Sequence, residues 1–165
     1  PYFTQVPSSS SAETSPINGS VSVFIRNFEK RGEGANTHIV YVMVTEVRGA
    51  TGYSYYEVRR RFSDFIGLHG KLVERTSGVG IPEPPGKSIQ MALTKTKLAD
   101  AEKYVAATRM RLLERYMFRV IALAVLRSDA DVINFLTMEG ELPRATNTSA
   151  VSSSGVKKIF KSVEE

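Results

Sequence analysis

The sequence predicts an α+β fold, a three-stranded antiparallel β-meander packed against a helical subdomain of three or more helices. Apolar residues alternate with polar ones early in the chain, as in strands, and later recur at spacings of three and four, as in helices. A proline-rich segment interrupts the helical half and predicts a crossing loop. Because the strand patterns precede the helix patterns, we expect the helices on one face of the sheet.

Three segments carry the strand pattern. Val21, Val23 and Ile25 alternate with polar neighbours, and residues 39–44 form an apolar run rich in β-branched side chains. Extended character resumes over residues 53–62, after a loop-type sequence that contains glycine. These segments predict strands joined in sequence order as a meander.

The third strand ends in three consecutive arginines, residues 59–61. Successive side chains of a strand point to opposite faces, so Arg59 and Arg61 share one face and Arg60 points to the other. Only one of these faces can contact a given ligand. Arg60 is expected in a structural ion pair or at the surface.

Three helices are predicted after the strands. Serine and aspartate, both good helix-starting residues, open a helix over residues 63–75 with a core-facing apolar stripe. Residues 98–126 contain neither proline nor glycine and predict one long helix. Residues 128–131 resemble a capping box and predict a short last helix that runs to about Met138.

Length and composition limit the classes of function. A chain of 165 residues is long enough for one domain with a real core. Lysine and arginine number 22 against 17 acidic residues, a net charge of +5 that favours anionic partners. There is no cysteine, and His38 lies far along the chain from His69, so neither a disulfide framework nor a zinc site is expected. No cofactor is expected either.

Composition also predicts the domain boundaries. Residues 1–19 are small and polar and predict a disordered tail, and residues 20–145 carry the domain. Residues 146–154 read as a flexible linker, and residues 155–165 as the start of a basic amphipathic helix. Since the first residue is Pro1, we expect a piece of a longer protein. The longest apolar run, residues 120–126, is too short to cross a bilayer.

Two segments together predict a phosphate pocket. Residues 59–65 combine arginines with phenylalanine, and residues 81–87 end a proline-rich stretch with a lysine. Arginine can hold a phosphate through two parallel hydrogen bonds, and an aromatic ring beside it offers a flat apolar floor. Neither Asp64 nor Asp129 has the partner groups that acid–base catalysis requires, so no enzyme is predicted.

Other interpretations of the same residues stay open. An arginine triplet beside a phenylalanine is most often a solvated strand end with a core ring. Tyr53, Tyr55 and Tyr56 favour packing in strands over base stacking, and the scattered positive charge disfavours a nucleic-acid binder. The spacing of Pro82 and Pro85 permits a polyproline ligand, so a protein-interaction adaptor with little lipid binding is the alternative function.

The residues resemble a PX domain, the phosphoinositide-binding module, of the type found in retromer-associated sorting nexins that carry a BAR domain. The likeness covers residues 21–145 and rests on four ordered motifs: Arg-Arg-Phe-Ser-Asp-Phe at 60–65, the proline segment at 81–87, Leu-Glu-Arg-Tyr at 113–116, and Glu-Leu-Pro-Arg-Ala at 141–145. The resemblance implies the PX fold.

It also implies roles for four residues. Arg61 would bind the 3-phosphate of the headgroup, and Phe62 would lie under the inositol ring. Lys87 would contact the 1-phosphate, and Arg109 would hydrogen-bond the ring hydroxyls. Arg111 remains the alternative for this last role.

The resemblance further implies a non-catalytic function in endosomal protein sorting and retrograde transport. The expected ligand is phosphatidylinositol 3-phosphate, with the 3,5-bisphosphate as a relative, on the cytosolic face of early endosomes. The full-length protein would work with retromer and a second PX-BAR sorting nexin. The isolated chain is expected to be a monomer.

Two further segments predict membrane contact. The loop after the proline segment would insert apolar side chains while its lysines face anionic headgroups: Ile89, Met91, Leu93, Lys95 and Lys97. Core packing is the alternative for its apolar members. The C-terminal segment sets an apolar face opposite lysines: Val156, Lys157, Lys158, Ile159, Phe160 and Lys161.

Overall fold

The predicted meander is confirmed. The computed structural model describes residues 16–50, 52–86 and 98–142. Its three strands are β1, Ser20–Arg31, β2, His38–Gly49, and β3, Gly52–Arg61, and they form one antiparallel sheet in the order β1-β2-β3. A 3-10 turn at Gly34–Asn36 joins the first two strands.

The helices follow the sheet as predicted. They are α1, Phe62–Arg75, α2, Leu98–Ala122, α3, Ala124–Arg127, and α4, Ala130–Thr137. The predicted long helix ends four residues early because Leu123 adopts an extended conformation, and the rest of that segment forms α3. The side chain of Asp129 accepts hydrogen bonds from two backbone amides and caps the start of α4.

The core lies between the inner face of the sheet and the helices. Phe65 of α1 occupies its centre, with ring centroids 6.4 Å from Tyr41 of β2 and 4.9 Å from Phe135 of α4, both edge to face. Leu113 and Met117 of α2 are fully buried in the same cluster. The core therefore ties each main helix to the sheet.

The central strand is buried on both faces. The outward side chains of Val40, Val42 and Val44 are only 6%, 2% and 0% exposed, although no described helix lies on their side of the sheet. The flanking strands place long charged side chains there, paired as Arg26–Glu57 at 2.8 Å and Arg59–Glu29 at 3.4 Å. Their aliphatic stems cover the valines.

Helix α2 is attached to β1 at two points. The amide of Ile25 donates to the Glu114 carboxylate at 2.7 Å, next to a β-bulge between Ile25 and Asn27. Lys30 pairs with Glu102 at 3.0 Å near the start of the helix. These contacts set the position of α2 along the sheet.

The predicted N-terminal boundary needs correction. The tail was expected to extend through residue 19, but Ile17 is only 4% exposed and packs in the core. A single apolar residue in a polar stretch gave no periodic signal. The predicted linker and C-terminal amphipathic helix lie outside the described residues. Among the described helices, none has the length and apolarity needed to cross a bilayer.

Candidate functional site

The junction of β3 and α1 separates neighbouring arginines as predicted. Arg60 points into the protein and is 1% exposed, whereas Arg59 and Arg61 lie exposed on the outer face. Cross-strand pairing places Arg61 beside Val40 and Arg59 beside Val42 on that face. The junction thus has one buried and two accessible guanidinium groups.

Arg60 anchors the end of β3 to the C-terminal end of α4. The guanidinium of Arg60 lies over the Phe135 ring, with its central carbon, Cζ, 5.4 Å from the ring centroid. The expected ion pair or surface role was wrong, because backbone carbonyls satisfy this cation, and four of the five come far later in the sequence. The guanidinium donates to the carbonyl oxygens of Phe135 (3.0 Å), Arg59 (3.1 Å), Gly140 (3.1 Å), Asn134 (3.3 Å) and Met138.

Arg61 is accessible and its guanidinium makes no ion pair or hydrogen bond with the described residues. It lines a depression of about 610 Å³ together with Arg59, Ser63 and Asp64. The carboxylates of Glu57, Glu139 and Glu141 also line this depression, whereas Phe62 and Arg109 do not. The backbone amide of Arg61 donates to the Asp64 carboxylate at 2.8 Å, which fixes the first turn of α1. The backbone of Arg61 is therefore fixed at the junction of β3 and α1, while its guanidinium donors remain free to bind a ligand.

Phe62 and Arg109 meet although they are far apart in sequence. The guanidinium carbon of Arg109 stands 4.4 Å from the centroid of the Phe62 ring, within the range of a cation–π contact. The Nε atom of Arg109 is buried and has no hydrogen-bond partner among the described residues. A buried donor without a partner is costly, so this geometry leaves capacity for an acceptor.

Tyr41 supports Arg109 from the sheet. Its side chain is 1% exposed on the inner face of β2. Burial raises the pKa of Tyr41, and the positive charge and hydrogen bond of Arg109 partly counteract that rise. Tyr41 was not predicted as a site residue, because nothing in a β-branched run indicates which of its members reaches a helix residue.

The structure separates Arg109 from Arg111. Arg109 reaches Phe62, while Arg111 is exposed and makes no polar contact with the described residues. Two residues along a helix correspond to a rotation of about 200°, so the two side chains leave α2 on opposite sides. Only Arg109 is brought to the β3–α1 junction.

The proline segment is described over residues 81–86. Ile81 packs against the core, and the Glu83 carboxylate lies 3.6 Å from Nε2 of His69 in α1. The His69 ring meets the buried ring of Tyr116 edge to face, with centroids 6.2 Å apart. The segment thus lies against both α1 and α2.

Several predicted contact residues lie outside the described residues. Lys87 immediately follows the last described position of the proline segment. The predicted insertion loop, residues 88–97, and the amphipathic segment, residues 155–165, also lie outside. Within the described ranges, no group of three or more acidic or histidine side chains is arranged to hold a metal ion.

Comparison with known proteins identifies the family. The family model described as the PX domain matches residues 50–139, which include the β3–α1 junction, the proline segment and all of α2 and α4. The chain belongs to the PX domain family. A solved structure described as a designed CISK-PX domain has 34% identity and a TM-score of 0.55, and the match covers 70% of this chain and 97% of that one.

The relatives with similar sequences are sorting nexins. Rat sorting nexin-1 is 38% identical over 146 residues, a match that covers 85% of this chain and 28% of the relative. Human sorting nexin-2 is 36% identical over 146 residues, with 84% and 28% covered. The chain therefore spans little more than a quarter of the length of these relatives.

Proposed function

We propose that this PX domain is a non-catalytic phosphoinositide-binding module that targets a sorting nexin to endosomal membranes. The proposal rests on two arginines with unmet donors near the start of α1, Arg61 at the end of β3 and Arg109 over the Phe62 ring. Arg109 has a buried donor without a described partner, and Arg61 has an accessible guanidinium without one. Two cations with free donors suit a phosphorylated ligand.

The proposed binding mode assigns Arg61 to the 3-phosphate and Arg109 to the ring hydroxyls. Phe62 supports the headgroup ring from below, and Lys87 reaches the 1-phosphate. Arg109 covers a face of Phe62 in the free protein. The inositol ring of the headgroup and the guanidinium of Arg109 compete for the same face of Phe62. Binding therefore moves Arg109 to the edge of the inositol ring, where its donors meet the hydroxyl groups.

The preferred lipid is proposed to be phosphatidylinositol 3-phosphate, with the 3,5-bisphosphate as a secondary ligand. Residues 88–97 insert into the membrane and residues 155–165 continue towards a BAR domain. The full-length protein works with retromer and a second PX-BAR sorting nexin at early endosomes. Avidity through such dimerisation would raise a modest single-site affinity.

The adaptor alternative receives less support. Pro82 and Pro85, whose spacing permits a polyproline ligand, are both half-buried, and the neighbouring Ile81 packs in the core. A ligand for a polyproline-binding groove must expose its prolines. The proline segment is therefore proposed as a wall of the lipid site.

Sedimentation with liposomes that contain phosphatidylinositol 3-phosphate tests the proposal. We expect Arg61→Ala and Arg109→Ala each to weaken binding at least tenfold, since a hydrogen bond to a charged group contributes about 1.5–3 kcal/mol. Arg48→Ala removes the same charge from an exposed residue at the far end of the sheet, next to Tyr53, and should change binding less than twofold.

The same assay separates the alternatives. Equal lipid recovery by Arg61→Ala and the parent protein would reject the proposed pocket. A profile across liposomes with each phosphoinositide, at constant total charge, tests the lipid preference. Equal binding to all of them would mean that the protein recognises anionic lipids in general and has no site specific for the 3-phosphate.

A further inference from the structure

The side of α2 that faces away from the sheet carries a regular row of exposed or partly exposed side chains. Its spacing alternates between four and three residues, as in the contact line of a coiled coil. At 1.5 Å per residue the row is about 27 Å long. We call this row the α2 seam, and its members are Tyr104, Thr108, Arg111, Arg115, Phe118 and Ala122.

The α2 seam carries an aromatic side chain near each end, Tyr104 and Phe118. Phe118 is 64% exposed and Tyr104 is 58% exposed, the two highest values among the large apolar side chains that the structure describes. Leu123 and Val125 are also exposed and extend the apolar end beyond Phe118. Apolar side chains in such a regular row favour contact with another protein.

The centre of the α2 seam is cationic. Arg111 and Arg115 lie there, and Arg119 flanks them. Within the described part of the chain, none of these three guanidinium groups makes an ion pair or hydrogen bond. The exposed Arg48 and Arg61 also lack a carboxylate partner among the described residues, whereas four other surface arginines have one: Arg26, Arg31, Arg59 and Arg75. The seam thus presents positive charge that the described fold leaves uncompensated.

We infer that the α2 seam docks an acidic amphipathic helix of a protein partner. Carboxylates of that helix face Arg111 and Arg115, and apolar side chains on either side of them pack against Tyr104 and Phe118. The alternating spacing sets the register of the two helices, and the opposite charges select the partner. Arg111, at the centre of the seam, leaves α2 about 200° from Arg109, so a docked helix and a headgroup contact different sides of α2.

Charge excludes other occupants. A second copy of this chain would place Arg111 and Arg115 against the same two arginines. The segments of this chain outside the described ranges offer no acidic helix, since residues 87–97 and 155–165 are rich in lysine.

Peptide binding to the full 165-residue chain tests the inference. The probe is a synthetic helical peptide of about 21 residues, long enough to span the seam. It carries leucine at the outer seam positions and glutamate at the central ones. A permuted peptide of the same composition, with leucine at every second position, is the control. We expect the helical probe to bind at least tenfold more tightly.

Charge reversal tests the register. The double variant Arg111→Glu, Arg115→Glu should weaken binding of the acidic probe at least tenfold, and a probe with lysine in place of glutamate should recover it. The matched control, Lys103→Glu with Arg48→Glu, makes the same charge change at exposed positions off the seam and should change binding less than threefold. Phe118→Ser should weaken binding about fivefold. Circular dichroism and liposome recovery check that each variant is folded.

Three results would overturn the inference. Equal binding of the two acidic peptides, or no loss in the double reversal, would leave only nonspecific charge attraction. Loss of recovery on phosphatidylserine vesicles without phosphoinositide, in the double reversal alone, would assign the seam to the membrane. A concentration-dependent dimer that Phe118→Ser abolishes would assign it to a second copy.

Discussion

Two regions of this domain use arginine in opposite ways. At the β3–α4 anchor, Arg60 is buried and donates to carbonyl oxygens of five residues. At the β3–α1 junction, Arg61 and Arg109 keep donors that no described residue accepts. Because the residue type is the same, the difference lies in the acceptors that the fold supplies.

This contrast distinguishes structural from functional cations. A buried guanidinium stabilises the native state only where acceptors compensate its lost hydration. Where acceptors are missing, the unmet hydrogen-bonding capacity is available to a ligand. Neighbouring positions in the chain, 60 and 61, therefore have different expected consequences on substitution.

The largest expected effect is on stability at the anchor. Arg60→Ala leaves several carbonyl groups at the end of α4 without a donor and should lower the free energy of unfolding by about 3–5 kcal/mol. Urea titration followed by circular dichroism measures the change. Lipid binding by Arg60→Ala should fall only as far as the folded fraction of the protein falls.

Arg59→Ala is the matched control for this prediction. Arg59 is exposed, and its ion pairs with Glu29 and Glu57 lie at the surface. Exposed pairs contribute at most about 1 kcal/mol. If Arg60→Ala were no more destabilising than Arg59→Ala, the carbonyl network would not be an anchor.

An intermediate effect is expected where the sheet supports the candidate site. Tyr41→Phe removes the hydroxyl that contacts Arg109 and should weaken phosphoinositide binding about threefold to tenfold, the range of a single net hydrogen bond. In an Arg109→Ala background the same substitution should have no further effect, since its partner is gone. Titration with a soluble headgroup measures all four proteins of the cycle.

Tyr116→Phe is the control for that cycle. Tyr116 is also buried, but its hydroxyl has no hydrogen-bond partner among the described residues. Its substitution should leave headgroup affinity unchanged. Equal losses from Tyr41→Phe and Tyr116→Phe would mean that general packing, and not the Arg109 contact, supports the site.

The smallest expected effect concerns stability at high pH. Burial, followed by the charge of Glu83, raises the pKa of Tyr116 well above its ordinary value. An unfolded tyrosine ionises near pH 10, so the unfolded state releases this proton first and stability falls as the pH rises through that value. Tyr116→Phe should reduce the loss between pH 9.5 and 10.5 by about 0.7 kcal/mol. Thermal melts at the two values measure it.

Local patterns were sufficient to predict much of the fold. The alternation around Val23 and the spacing of Phe65 and Leu68 reflect one-sided burial, which a sequence displays directly. The outward valines of β2 were less accessible to prediction. Their burial depends on long charged side chains of β1 and β3. Those side chains lie beside the valines only once the strands have paired, so the run of residues in β2 does not reveal it.

The candidate site divides in the same way. The alternation of faces at residues 59–61 follows from strand geometry, and the resemblance supplied Phe62 and Arg109, which the structure brings together. Four of the five carbonyl partners of Arg60, and the contact between Tyr41 and Arg109, join segments 68 or more residues apart. No local pattern in a single sequence encodes such pairings. The roles of Arg61, Phe62, Lys87 and Arg109 in binding all stay predictions.

The two attachments of α2 to β1 have a consequence for the energetics of ligand capture. Glu102 and Glu114 bracket Arg109 and hold the helix to Lys30 and Ile25 on either side of it. The part-buried bond from the Ile25 amide to Glu114 limits movement of the α2 backbone beside Arg109, whereas the exposed Lys30–Glu102 pair adds little. Much of the conformational entropy lost here on association therefore falls on side-chain rotamers.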